Sequence, residues 1–212
     1  MKKEEVFRLL EQHLLKDDRP AVFIDKLDRE GILKRVEPFN LLVQLKKVEQ
    51  DEKHHPEGNV WNHTLLVVDE AAKRRSLSRE PRAFMWGALL HDLGKLRTTA
   101  VRKGRITAYD HDKIGGIMAE EFLSHFELEE KLVLRIVSLV KWHMQVLFVV
   151  KGLPFAAVED MLQEIEAEEV ALLALCDRLG RGGLTEEIKE KEEKDVKKFL
   201  QVCRGVERER MT

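Results

Sequence analysis

The sequence places a histidine and an aspartate side by side at the end of an apolar segment, as His91 and Asp92 in Ala88-Leu89-Leu90-His91-Asp92-Leu93-Gly94-Lys95. Burying an ionised aspartate costs several kcal/mol or more unless the carboxylate is paired or bound to a metal. A bare aspartate is therefore rare in such a place. The pair predicts a cation beside Asp92, and a metal ion is the natural candidate.

Other polar residues also share the apolar faces of helical segments, namely His63, His143 and Asp177, and His111 stands just before such a segment. Each of the three is spaced three, four or seven positions from apolar residues, so its side chain is predicted to point inward. Taken alone, an inward histidine is more often a hydrogen-bonded core residue than a ligand. Four to six such residues in one bundle are explained together by a shared cation.

The ligand types indicate which metals to expect. Imidazoles and carboxylates without a thiolate suit Mn, Fe, Co, Ni, Zn or Mg, and the residues do not distinguish among these. Cys176 adjoins Asp177 but points about 100° away from it around a helix, so a core position is expected. A structural zinc site of the cysteine type is not expected.

The composition is that of an ordinary globular chain of 212 residues with a net charge of −2. This balance does not indicate a strongly basic nucleic-acid binder, and a local basic patch stays open. Two cysteines, Cys176 and Cys203, make no disulfide framework and fit a reducing cytoplasm. No signal sequence is expected at the charged N-terminus, and the apolar runs are expected to be too short to span a bilayer. A cytoplasmic protein with no membrane partner is predicted.

The elements that must position these residues are helices, because helical periodicity dominates and no clean strand-type alternation occurs. The segment 96–110 is interpreted as a loop, although Arg105–Tyr109 has the character of a short extended stretch. Apolar stripes predict three helices within 6–14, 23–27 and 39–48. A fourth helix is predicted to begin at a cap formed by Asn59 or Asn62, and a fifth to begin near Ser78 and Pro81 and to end at Gly94. Further helices are predicted over 112–126, 129–149, 154–164, 167–179 and 185–210.

The ordered set His63, His91-Asp92 and Asp177 resembles the H…HD…D signature of the HD superfamily of metal-dependent phosphohydrolases. Two stretches, 55–65 (HPEGNVWNHTL) and 141–144 (KWHM), are similar to the HD domain attached to some bacterial tRNA nucleotidyltransferases. No Gly-Ser signature followed by an Asp-x-Asp pair is present, so nucleotide addition is not expected.

The resemblance implies an all-α HD-domain helical bundle. Its expected divisions are an N-terminal helical extension at 1–50, the phosphohydrolase domain at 51–183 and a charged C-terminal helix at 184–212.

It also implies a ligand set and a chemistry. A divalent ion would be held by His63, His91, Asp92 and Asp177 and would supply hydroxide at neutral pH. His111 and His143 match positions that hold a second ion in some relatives, with Asp92 between both. With one ion, these two histidines would instead contact phosphate or protonate the leaving group.

The catalytic residues expected are Asp92, Lys95, His111 and His143. Lys95 is predicted to bind substrate phosphate, and the alternative is a solvated lysine favourable to the helix dipole. Arg105 and Lys103, in the segment between the His91-Asp92 pair and His111, are weaker candidates to bind substrate.

Several neighbouring residues have two interpretations. Arg178 either lines the mouth of the site or forms a surface ion pair. Glu57 either orients a ligand, acts as a base or is solvated. His13, His54, His55 and His125 are interpreted as ordinary surface or loop histidines.

The favoured function is hydrolysis of phosphate esters of a nucleotide or an RNA end, such as a 2′,3′-cyclic phosphate. A non-catalytic accessory protein that binds nucleotide or RNA is the alternative. A signalling nucleotide such as a guanosine tetraphosphate would use the same metal set. The number of ions, the substrate and the oligomeric state stay open.

Overall fold

The structure, a computed structural model, describes residues 1–51 and 55–211. It confirms the predicted all-α class, since the described part of the chain contains thirteen α-helices and one two-stranded sheet. The helices are α1 Lys3–Lys16, α2 Pro20–Arg29, α3 Ile32–Arg35, α4 Asn40–Gln44, α5 Val60–Ala72, α6 Pro81–Leu90, α7 Lys95–Thr98, α8 His111–Leu123, α9 Glu130–Trp142, α10 Gln145–Val150, α11 Val158–Glu164, α12 Ala167–Leu179 and α13 Glu186–Met211. The strands are β1 Thr99–Arg102 and β2 Arg105–Ala108, and 3₁₀ turns span Leu45–Lys47 and Arg75–Leu77.

Helix α6 lies at the centre of the bundle. Every residue from Ala83 to Leu90 is buried, and the helix packs against α1, α5, α9 and α12. Phe7 of α1 stacks on Trp86 with ring centroids 4.4 Å apart. One contiguous apolar cluster includes Val6 from the N-terminal part and Phe199 from α13. The divisions predicted at 50 and 183 stay a prediction.

The loop predicted at 96–110 is wrong over most of its length, because β1 and β2 form an antiparallel hairpin. Thr99 lies opposite Ala108, and Arg102 lies opposite Arg105. The turn residues Lys103 and Gly104 have φ values of 51° and 74°, which suits the left-handed turns that favour hairpins. Four-residue strands are too short to display an alternating pattern.

The helix predicted over 129–149 divides into α9 and α10 at His143 and Met144. The predicted stop at Gly94 is also wrong, since α6 ends at Leu90. In both places the histidine that follows the helix turns its ring back onto a helix carbonyl, as described below. Other limits shift by a few residues, with α8 beginning at His111 and α11 at Val158. The cap at Asn59 is confirmed, because its side chain accepts the backbone N–H of Asn62.

Within the described residues, one segment, Glu130–Val150, is apolar and long enough to cross a membrane by length and composition. In the fold this segment is not one continuous helix, and it carries His143 into the interior of the bundle. Helix α9 packs on both α6 and α8. These contacts are those of a core helix.

A buried glutamate ties the connection before α6 to α12. Glu169 is 2% exposed. Its carboxylate accepts hydrogen bonds from Ser78 Oγ at 2.7 Å and from the backbone N–H of Arg79 at 2.8 Å. Ser78 Oγ in turn accepts the N–H of Glu80 at 3.1 Å. The start of α6 is thereby fixed to α12, which carries Asp177.

We expect Ser78→Ala to lower the free energy of unfolding by about 1–3 kcal/mol, because the buried carboxylate of Glu169 loses a donor. Urea denaturation measures this effect. The control is Ser124→Ala, since Ser124 is exposed and bonds only to the carbonyl of Glu121; its effect should stay within about 0.5 kcal/mol. Equal stability of the two variants would contradict the prediction.

Candidate metal centre

The carboxylate of Asp92 is the centre of the site. It is 2% exposed. Oδ2 lies 2.7 Å from Lys95 Nζ, 3.3 Å from His91 Nε2 and 3.8 Å from His63 Nε2, and Oδ1 lies 3.5 Å from His111 Nε2. Burial alone would raise the pKa of Asp92, but the neighbouring cation Lys95 outweighs burial and holds it well below its usual range. Asp92 is therefore an anion in the interior of the protein.

Two groups of possible ligands share Asp92. Within each group the ligand atoms lie within 4.8 Å of one another. The groups are His63, His91 and Asp92 on one side, and Asp92, His111 and His143 on the other. Asp177 Oδ1 lies 2.9 Å from His63 Nε2 and joins the first group. The structure thus brings together all six residues that the sequence proposed as metal ligands.

Three of the histidines are oriented by the same backbone device. Each Nδ1–H donates to the carbonyl three residues earlier, so Nε2 is the ring nitrogen left to face Asp92. The bonds run from His91 to Ala88 at 2.9 Å, from His111 to Ala108 at 2.7 Å and from His143 to Val140 at 2.7 Å.

This device explains where α6 and α9 end. The carbonyls of Ala88 and Val140 belong to the last four residues of their helices, which have no N–H partner within the helix. The rings of His91 and His143, each in the residue after the helix, satisfy these carbonyls. The same hydrogen bond therefore ends the helix and aims the imidazole.

The donor atoms fit a divalent cation. Among the residues that the structure describes, the buried His91 Nε2 has no hydrogen-bond partner, which would cost free energy if nothing bound it. Burial, helped by His111 and His91, lowers the pKa of His143 to about 3, and burial also lowers the pKa of His111 although Asp92 opposes this effect. These rings are neutral at physiological pH, the form in which imidazole binds a metal.

His63 is oriented by a carboxylate. Its Nδ1 lies 2.9 Å from Glu57 Oε1, and its Nε2 faces Asp177. Burial would lower the pKa of His63, but Asp177 and Glu57 outweigh burial and raise it. The side chain of Glu57 is 4% exposed, and Oε2 accepts the backbone N–H of Gly182 at 3.1 Å. Of the interpretations of Glu57, solvation at the surface is wrong.

His55 belongs to this site, although its place in the sequence predicts an ordinary surface or loop histidine. Its side chain is 14% exposed, its Nδ1 lies 2.8 Å from Glu57 Oε1, and its ring meets that of His63 edge-on. The one available signal was its place in the stretch 55–65. Of the other histidines so interpreted, His13 pairs with Asp17 and His125 is exposed, whereas His54 lies outside the described residues.

A cavity of about 490 Å³ opens onto the ligands. Lys95 lies in it, with Nζ bonded to Asp92 and, at 2.8 Å, to Gln50. Strand β2 lines the cavity, but Arg105 itself is exposed and is not among the lining residues. Helix α13 contributes a wall, a role for the charged C-terminal helix that its composition does not reveal.

Gly94 allows the segment after Asp92 to approach α8. A Cβ atom at this position would lie 2.1 Å from the carbonyl oxygen of His111 and 2.5 Å from the backbone nitrogen of Gly115. Both neighbours are backbone atoms, so neither can rotate away. The close approach sets the distance between Asp92 and His111.

Comparison with known proteins identifies one family that matches most of the chain, including the proposed ligands. Residues 60–199 match the family described as HD domain. A "Multifunctional CCA protein" of Pseudomonas fluorescens is 38% identical over 97 residues, which are 46% of this chain and 22% of that protein. One of Halorhodospira halophila is 30% identical over 96% of this chain and 48% of its own length.

A further "Multifunctional CCA protein", from Actinobacillus pleuropneumoniae, is 38% identical over 37% of this chain and 18% of its own length. The chain therefore spans about half or less of the curated relatives it matches. The resemblance noted from the motifs is confirmed.

We expect Glu57→Ala to weaken divalent-ion binding by about 10- to 100-fold, because His63 loses the carboxylate that orients it. Titration with Mn²⁺ in competition with a chelating dye measures the affinity. Glu121→Ala is the control, since Glu121 is exposed and pairs with Arg97. Unchanged affinity in Glu57→Ala would refute the orienting role.

We expect Gly94→Ala to displace the start of α8 and to lower the free energy of unfolding by about 1–3 kcal/mol or more. The same displacement should weaken the binding of any cation held by His111. Thermal denaturation and metal analysis measure the two effects. In Gly205→Ala the new Cβ meets nothing within 4 Å, and the helix should gain about 0.5–1 kcal/mol. A Gly94→Ala protein with wild-type stability and metal content would sink this account of Gly94.

Proposed function

The chain belongs to the HD domain family, and from this membership we propose that it is a metal-dependent phosphohydrolase or phosphodiesterase. Its proposed substrates are phosphate esters of nucleotides or RNA ends, such as 2′,3′-cyclic phosphates. The observation that carries the proposal is the buried Asp92 shared by two groups of buried imidazoles. The resemblance to the HD domain of bacterial tRNA nucleotidyltransferases favours a nucleotide or an RNA end.

The residues proposed to hold the first ion are His63, His91, Asp92 and Asp177, with His111 and His143 available to a second. When bound, such an ion lowers the pKa of water and neutralises the phosphoryl oxygens. The metal is one of the divalent ions that nitrogen and oxygen ligands suit.

For His143, a role as ligand to a second ion is favoured over proton donation to the leaving group. Its Nδ1–H is already donated to Val140, and with a pKa of about 3 its Nε2 carries no proton at neutral pH. A proton donor to the leaving group would need a proton at that nitrogen. His111 has the same backbone bond and a pKa lowered by burial, so the same reasoning applies.

Lys95 is proposed to bind the phosphoryl group that is cleaved. Its Nζ reaches Asp92 at 2.7 Å, and a phosphoryl oxygen beside Asp92 would therefore be within its reach. Its place in the cavity favours this role over that of a solvated lysine. Arg105 is a weaker candidate, because its side chain is exposed on the hairpin.

We propose that the reaction takes place in the cytoplasm without a membrane partner.

The two cysteines are not proposed to take part in the chemistry. Burial raises the pKa of the Cys176 and Cys203 thiols to about 12 each. Such thiols are poor nucleophiles at neutral pH, so the chemistry rests on the histidines, the aspartates and the ion.

The assay presents protein loaded with Mn²⁺, Co²⁺, Ni²⁺ or Mg²⁺ with 2′,3′-cyclic AMP and with p-nitrophenyl phosphates. We expect turnover by the wild type and, in Asp92→Ala, a fall of at least about 100-fold with loss of bound metal, because a ligand matters more than the residues that orient it.

Asp25→Ala is the matched control, since Asp25 lies on α2 and pairs with Arg29 away from the cavity. It should keep full activity and metal content. Full activity in Asp92→Ala would overturn the metal assignment. Absence of turnover with every metal would favour the non-catalytic binding protein.

A further inference from the structure

Two arginines line the wall of the cavity that the end of α12 forms. Arg178 follows the proposed ligand Asp177 directly, and Arg181 stands three residues further along. Both are half-buried and both line the cavity that opens onto Asp92. The metal centre as described above uses neither of them.

Neither arginine has a partner among the residues that the structure describes, since no ion pair or hydrogen bond involves their side chains. Arg181 Nε is fully buried without a hydrogen-bond acceptor. The nearest acidic groups on α13, Glu192 and Asp195, make no ion pair with Arg178, and Asp195 is paired with Lys191 at 2.9 Å. A guanidinium left without an acceptor in a partly dry cavity is costly unless an anion binds there.

The two guanidinium groups also act on each other. Arg181 lies near enough for its like charge to act unfavourably on Arg178, although Asp177 acts favourably on the same group. Arginine stays charged in proteins, so the like charges persist and a bound anion would reduce their repulsion. The planar fork of arginine binds phosphate through two parallel hydrogen bonds.

The backbone around Arg181 is held tightly on both sides. At Gly180 a Cβ atom would lie 2.5 Å from Val67 Cγ2 and 2.8 Å from the Val67 backbone nitrogen. The N–H of Gly182 donates to Glu57, the residue that orients His63. The backbone that carries Arg181 is therefore held in place relative to the metal ligands before any substrate arrives, which reduces the entropy lost on binding.

The cavity is larger than the phosphoryl group that is cleaved. Its volume of about 490 Å³ is that of a small-molecule site. Apolar side chains of α10 line it as well, among them Val146, Leu147 and Val150, and suit a sugar and base. Lys95 already serves the phosphoryl group beside Asp92, so the arginines are left for a different anion.

We propose that Arg178 and Arg181 form a second phosphate subsite, which selects substrates carrying another phosphate one nucleoside away from the one that is cleaved. This inference rests on the proposed function for the identity of the cleaved group. The second phosphate is either the 5′-phosphate of a mononucleotide or the internal phosphodiester that precedes an RNA 3′ end.

The test is calorimetric titration of the Mn²⁺-loaded protein with three ligands. Chromatography after each titration checks that the ligand has not been hydrolysed. They are adenosine 3′-phosphate, adenosine 3′,5′-bisphosphate and an adenosine dinucleotide with a 3′-phosphate. We expect one or both of the longer anions to bind at least about tenfold more tightly than the monophosphate. A preference for the bisphosphate indicates a mononucleotide, and a preference for the dinucleotide indicates an RNA end.

In the double variant Arg178→Gln/Arg181→Gln this advantage should shrink to less than about threefold, by the loss of the charge-assisted hydrogen bonds. Arg29→Gln, which removes an exposed arginine on α2, should keep it. Thermal denaturation and metal analysis show that each variant is folded and loaded. Should the double variant not fold, Arg181→Lys, which keeps the charge and loses the fork, should lose part of the advantage.

Equal or undetectable binding of the three ligands by the wild type overturns the subsite, and so does an undiminished advantage in the arginine variants. The titration does not depend on turnover. A wild type that binds with the expected preference but hydrolyses nothing would support the subsite and contradict the proposed function.

Discussion

The carboxylate of Asp92 is the constraint on which the rest of this structure depends. A charge in the interior of a helical bundle needs compensation, and the side chains gathered around it come from five helices and the residues that follow them. His63 comes from α5, the His91-Asp92 pair from the end of α6, His111 from the start of α8, and His143 and Asp177 from α9 and α12. Without an ion, Lys95 is the cation that pairs with Asp92.

Fold and site are coupled through the backbone. Because His91 and His143 satisfy carbonyls at the ends of their helices, the helix lengths and the directions of the imidazoles are set by the same hydrogen bonds. Gly94 brings α8 close enough for His111 to reach Asp92. A ligand set assembled in this way is held in place by secondary structure and not by long flexible side chains, which favours a preorganised site.

Helical periodicity was sufficient to predict the bundle and the inward direction of His63, His143 and Asp177, because each shares a face with apolar residues. It could not predict the break at His143 or the hairpin at β1 and β2, which depend on a local hydrogen bond and on a left-handed turn. The partnership of His55 and Glu57 with His63 was hidden for another reason. His55 and Glu57 lie in a stretch without helical periodicity, and Glu57 also accepts the backbone N–H of Gly182. Contacts between residues so far apart in sequence form only when the chain is folded.

The central claim is that a divalent cation binds at Asp92. It is tested most directly by crystals of the protein grown with Mn²⁺, using anomalous scattering to locate the ions. We expect an anomalous peak within bonding distance of the Asp92 carboxylate and of Nε2 of His91. A well-ordered Asp92 bonded only to Lys95, with no peak beside it at saturating Mn²⁺, would contradict the account.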